Sequence, residues 1–239
     1  MNQHRDPNCN DGDDSKLTCW TIIEAAARGV GCERDRFVRI YLPVVKSFLQ
    51  QRWQYGLLVA SIDDATQEVL MECLKEEGPL RRAERDRGDF RGYLYGVVRN
   101  VARRFEEKQR RQPPKQDGGT GVLAELPNDE ESLSRLFDRS WARGMMKQAA
   151  ERQRELASGK GDEARQRIRL LQERFHTGLA IREIASNWNK DAAYLHRQYA
   201  KARTEFRDSL MDVLAFHHPR ANKDELDREC QQLLRILQK

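Results

Sequence analysis

Apolar residues recur at helical spacing along almost the whole chain, and no segment alternates apolar and polar residues as a half-buried strand would. That periodicity restricts the chain to an all-α fold. Thr18 can cap a helix running to about Arg28, closed by Gly29 and Gly31. A second helix begins near Glu33. Pro43 interrupts its apolar pattern, which predicts a break there and a new helix carrying Val44, Val45, Phe48 and Leu49. A helix over residues 62 to 75 follows and ends before Gly78–Pro79. After a basic loop comes a helix from about Asp89 to Arg111.

Residues 112 to 131 break the pattern. They hold three prolines, three glycines and one Lys (Lys115) against Asp117, Glu125, Asp129, Glu130 and Glu131. This composition reads as a flexible acidic linker. Helical patterning resumes from about Ser132. The expected architecture is therefore two small helical domains joined by that linker: a polar tail at 1–17, a first domain at 18–111, a second at 132–217 and an amphipathic extension at 218–239.

With 34% charged and 38% hydrophobic residues, the chain is polar yet able to bury a core. A net charge of +5 favours an anionic partner, most simply nucleic acid. The first residues lack the apolar core of a signal peptide, and no run is long enough to cross a bilayer, so a cytoplasmic location without membrane insertion is expected. The five cysteines are scattered without a CxxC, which reads as free thiols rather than a disulfide frame or zinc site. No metal or other cofactor is expected.

The stretch "GLAIREIASNWNKDAAYLHRQYAKARTEFRDSL" carries the clearest motif. Ile181, Ile184, Ala185 and Trp188 mark a short helix, Asn187 to Lys190 a turn, and Asp191 the cap of a second helix. In that helix Leu195, Tyr199, Ala202, Phe206 and Leu210 form one apolar stripe. The opposite face presents His196, Arg197, Ala200, Lys201 and Arg203. A plain helical hairpin shares part of this pattern, but the cap, the helix lengths and the basic face favour a helix-turn-helix, whose second helix enters the major groove.

Two further faces stand out. Between Arg91 and Arg111, seven basic residues outnumber two acidic ones, and Phe90, Tyr93 and Tyr95 sit at the start of the same helix. Rings beside a cationic face suit unpaired bases, which stack while the cations follow the backbone. At least one of these rings is expected in the core. On the helix over 62–75, Ile62, Ala65, Val69, Leu70 and Cys73 gather on one side; Asp64, Gln67, Glu68 and Met71 gather on the other. That second side reads as a docking surface, with acidic groups for a basic partner and a thioether for contact area. Asp63 sits at the helix start, where its charge favours the dipole.

"DDATQEV", "FRGYLYGVVRNVAR" and the helix-turn-helix, in this order, resemble regions 2 and 4 of bacterial RNA polymerase sigma factors, and the two-domain layout resembles the extracytoplasmic-function (ECF) group. The resemblance covers about residues 33 to 111 and 132 to 215. It implies that the helix over 62–75, through Asp64, Gln67, Glu68 and Met71, docks on the clamp helices of the polymerase β′ subunit. It implies that residues 80 to 111 open the −10 element and capture a flipped base, with Arg91, Tyr93, Tyr95, Arg99, Asn100 and Arg103 facing the DNA. Asn100 takes the Asn of the family's R-N motif. Asp191 to Arg203 match the pattern S-x-G-T-V-x-S-R-L-x-R-A-R, with Leu195 at its Val and Tyr199 at its Leu; His196, Arg197, Ala200, Lys201 and Arg203 would then meet the −35 element. Core polymerase, including the β flap, promoter DNA and an anti-sigma factor are the implied partners. In the family the linker threads the active-site and RNA-exit channels. Two features depart from the pattern: Tyr93 stands where a Trp is usual, and the loop "PLRRAERDRGD" is longer and richer in arginine.

Two other functions compete. A helix-turn-helix regulator acting without polymerase would explain the second domain but not the basic–aromatic helix or the acidic linker. A metal-dependent phosphoryl-transfer enzyme would use Asp63, Asp64 and Glu68, but no second set of ligands at suitable spacing accompanies them. No catalytic residue is therefore expected.

Overall fold

In the computed structural model, which describes residues 18–54, 56–75, 90–111 and 129–238, the described residues form helices and no strand. The helices are α1 (Cys19–Ala27), α2 (Gly31–Arg52), α3 (Ile62–Leu74), α4 (Phe90–Arg111), α5 (Glu130–Ser158), α6 (Asp162–Thr177), α7 (Ile181–Asn187), α8 (Ala192–His217) and α9 (Lys223–Gln238), with a 3₁₀ turn at Leu57–Ser61. The expected polar tail, the arginine-rich loop at 79–89 and most of the acidic linker lie outside the described residues. The chain divides into two compact units. One comprises residues up to Gly144 with Leu234–Lys239, and the other Met145–Leu233. The division falls inside α5, so residues 132–144, which the sequence groups with the second domain, belong to the first unit.

In the first unit, Thr18 caps α1 reciprocally. The Thr21 N–H donates to Thr18 Oγ1 at 3.4 Å, and the Thr18 N–H donates to Thr21 Oγ1 at 2.9 Å. Gly29 follows at φ 90, a left-handed turn that glycine adopts without strain. The break expected at Pro43 does not occur: α2 runs through it. Proline in a helix interior costs about 3 kcal/mol. Here Tyr41, Val44, Val45 and Phe48 all bury on one face, so packing on both sides of the proline holds the helix together.

The core of this unit is aromatic. Phe90 lies 4.9 Å from Tyr41 and 6.1 Å from both Phe37 and Trp20, in tilted and edge-on geometries that favour ring pairs. At its other end Arg52, Trp53 and Glu106 form a buried polar knot. Glu106 Oε1 accepts from Arg52 Nε at 2.6 Å and from Trp53 Nε1 at 2.9 Å, and Oε2 accepts from Arg52 Nη2 at 2.9 Å.

The second unit is built around Leu170, Ile181, Ile184, Ala185 and Leu195, with Trp188 and Tyr199 leaning on them. Gly178, at φ 70, closes α6 in the left-handed conformation. Arg167, 4% exposed, forks onto Glu205 of α8, its Nη2 donating to Oε1 at 2.8 Å and its Nε to Oε2 at 2.9 Å. His217 sits beside Gln148 Oε1 at 3.1 Å; burial, with a smaller effect of His218, pushes its pKa down to about 3, so the ring is neutral. Asn222 and Glu225 cap α9 reciprocally, and Asp227 pairs with Arg207 of α8 at 2.8 Å. The amphipathic extension is thus fastened to α8, with Cys230 and Leu233 buried.

Candidate nucleic-acid and partner interface

On α3 the expected split of faces is present. Ile62, Ala65, Val69, Leu70 and Cys73 are buried, and Thr66 joins them by donating its hydroxyl to the Ile62 carbonyl at 2.7 Å. Asp64, Gln67 and Met71 are exposed, Met71 at 57%, and Glu68 is half-buried. Asp63 pairs with Lys46 of α2 at 2.6 Å, which gives it an internal task besides the helix dipole. Glu68 pairs with Arg104 of α4 at 3.2 Å. The exposed Leu57 and Val59 of the 3₁₀ turn precede this helix and enlarge the apolar area of its surroundings.

On α4, Leu94, Val97, Val98, Val101 and Ala102 are buried, and the cations lie on the other side. The rings divide. Phe90 belongs to the core, Tyr93 tilts against it at 6.3 Å, and Tyr95 reaches Phe137 of α5 at 5.2 Å and Phe48 at 6.2 Å. Asn100 and Arg103 are exposed.

Four of the candidate residues here meet carboxylates of α5. The Glu130 carboxylate accepts from Arg99, from the Tyr95 hydroxyl at 3.2 Å and from Arg103 Nη2 at 3.2 Å. Asp138 pairs with Arg91. The Arg99 hydrogen bond, aided by the Arg99 and Arg103 charges, holds Glu130 below the usual carboxylate range. Burial, then the Glu130 charge, pushes the Tyr95 phenol up. Sequence reasoning missed Glu130 and Asp138 as partners of this face. The available signal was Leu133, Phe137 and Trp141, an i, i+4, i+8 apolar stripe starting beside the acidic triplet 129–131.

In the second unit, the Asp191 side chain caps α8 by accepting from the Tyr194 N–H at 2.7 Å. The turn before it passes through Asn189 at φ 50, a left-handed position that Asn tolerates. Replacing Asp191 with Ala removes the cap and is expected to cost about 1 kcal/mol in thermal unfolding; no change would show that the start of α8 is held by packing alone. His196, Arg197, Ala200, Lys201 and Arg203 are all exposed on one side of α8, while Leu195 and Ala202 face the core. Arg203 also lies over the Tyr199 ring at 5.9 Å.

Among the described residues no group of three or more His, Cys, Asp or Glu is placed to hold a metal, and no described helix is long and apolar enough to cross a membrane. None of the described cysteines is in a disulfide; burial raises the Cys73 thiol to about 12 and the Cys230 thiol above its usual value. A family model described as "ECF sigma factor" matches residues 79–212, more than half of the chain, from the arginine-rich loop through most of α8. No curated protein matches the chain.

Proposed function

Because the chain belongs to the ECF sigma factor family, whose members are DNA-binding factors of transcription initiation, we propose that it binds core RNA polymerase and directs it to promoters with separate −10 and −35 elements. The observation that carries this reading is the pair of cationic helix faces, α4 in one unit and α8 in the other. In this reading the chain catalyses nothing itself; it positions the polymerase.

The exposed residues of α3 support the docking step. Asp64, Gln67, Glu68 and Met71 meet the β′ clamp helices, where acidic groups pair with basic side chains and Met71 supplies adaptable contact area. On α4, Tyr93 and Tyr95 stack on unpaired bases of the melted −10 element. Arg91, Arg99 and Arg103 follow its phosphates, and Asn100 offers amide hydrogen bonds to a base edge. In the second unit, α8 enters the major groove of the −35 element with His196, Arg197, Ala200, Lys201 and Arg203, and the polymerase β flap is its protein partner. Residues 18–111, joined by 132–144, form the −10 domain, 145–217 the −35 domain and 112–131 the linker through the polymerase channels. Such a linker extends to roughly 65–70 Å. An anti-sigma factor is the partner class expected to compete for these surfaces.

Replacing Arg197 with Ala tests the −35 assignment. It is expected to weaken binding of the cognate −35 duplex by about 1–3 kcal/mol while sparing unrelated sequences, as loss of a base contact does. Equal weakening on every sequence would make Arg197 a phosphate contact.

A further inference from the structure

The first half of α5 sits where α4 would need to be open. Glu130 occupies Tyr95, Arg99 and Arg103, and Asp138 occupies Arg91. Phe137, 1% exposed, packs against Tyr95 and lies 5.7 Å from Phe48. Trp141, 2% exposed, stacks on Tyr41 at 6.1 Å, and Ser140 Oγ accepts from Gln51 Nε2 at 2.9 Å. At Gly144 an added Cβ would lie 2.4 Å from Val44 Cγ2, so the close approach of α5 to α2 needs a glycine there. The seat is built from both ends: carboxylates on the cations, aromatic rings on the aromatic rings.

We propose that residues 130–144 are an internal clasp that takes the place of nucleic acid on the cationic–aromatic face of α4. This rests on the assignment of that face to the −10 element. A carboxylate held by two guanidiniums and a phenol stands where a backbone phosphate would bind, and Phe137 occupies the ring that a base would stack on. The fit is incomplete: Arg99 Nε is buried without an acceptor among the described residues, and a phosphate brings more acceptor oxygens than one carboxylate. The ion pairs to Glu130 are half-exposed and screened by salt. The clasp therefore holds mainly through Phe137 and Trp141 and can be displaced. Asp64, Gln67 and Met71 stay exposed while it is closed, so polymerase can dock before DNA displaces α5.

The test uses the full chain and a fluorescein-labelled single-stranded DNA 20-mer of mixed sequence, read by anisotropy at low salt. The double variant Glu130→Gln, Asp138→Asn is expected to bind about tenfold more tightly than the unmodified chain. A control that removes two charges elsewhere, Glu131→Gln with Glu155→Gln, is expected to change binding by no more than about twofold, and adding Arg99→Ala to the double variant removes its gain. In the unmodified chain, saturating DNA is expected to speed amide hydrogen exchange across 132–144; this measurement decides the matter if the double variant fails to fold. Equal binding by the double variant and the control, or unchanged exchange across 132–144 with DNA bound, overturns the clasp. If Arg99→Ala also leaves DNA binding and promoter opening by the reconstituted polymerase unchanged, the −10 assignment of α4 falls as well. If Arg99→Ala impairs both while the double variant equals the control, only the clasp falls.

Discussion

Replacing Glu106 with Ala is expected to destabilise the first unit by about 3–5 kcal/mol in urea unfolding, the range for breaking a buried ion pair from one side. The Arg52 and Glu106 side chains are 3% and 8% exposed, and Trp53 is 1% exposed. Without the carboxylate, the guanidinium and the indole N–H lose their acceptor in a place water reaches poorly. Arg52 Nη1 already lacks an acceptor among the described residues, so the site has no spare partner to offer. The pH dependence has a definite sign. Burial raises the Glu106 carboxyl, but the hydrogen bonds from Arg52 and Trp53 outweigh it, and the net pKa lies below 4.5. A carboxylate depressed in the folded state stabilises it fully above the unfolded value and loses that contribution as pH falls through the folded one. Stability should therefore drop below about pH 4.5, and Glu106→Ala should flatten that part of the acid limb. A loss under about 1 kcal/mol would mean that the knot behaves as a solvated surface pair.

The second large effect concerns docking rather than folding. Asp64→Lys combined with Glu68→Lys is expected to weaken association with core polymerase by about a hundredfold or more, because two attractive contacts become repulsive. Thermal unfolding should barely move. Asp64 is exposed, and the Glu68–Arg104 pair, 41% and 53% exposed, is of the surface kind worth about 0–1 kcal/mol. Asp64→Lys alone is the cleaner variant, since Glu68→Lys also places a second cation beside Arg104. Loss of helicity would make these residues structural. Full retention of polymerase binding would move the docking surface elsewhere.

Local rules carried well from sequence to structure. The caps at Thr18 and Asp191 are made by the residues that the sequence singles out, because capping is settled within three residues. The buried faces of α3 and α8 follow the apolar stripes. Pro43 misled because local preference predicts a break, while the rings and valines on both sides of it pack into one core. The carboxylates on α4 were harder to see. Glu130 lies at the end of the stretch that reads as a linker and Asp138 beyond it, both 27 or more residues along the chain from the cations they meet. No local pattern pairs such residues. Only the stripe of Leu133, Phe137 and Trp141 hinted that the helix after the linker has a face to bury.

In the proposed function this chain gives core polymerase its promoter choice. The decisive measurement is start-site mapping in a reconstituted reaction, with purified core enzyme and genomic DNA, with and without the chain. The predicted result is a set of start sites that appears only when the chain is added, each preceded by the same pair of elements at fixed spacing. An unchanged set of start sites, from a chain that binds duplex DNA alone and never associates with core enzyme, would contradict it.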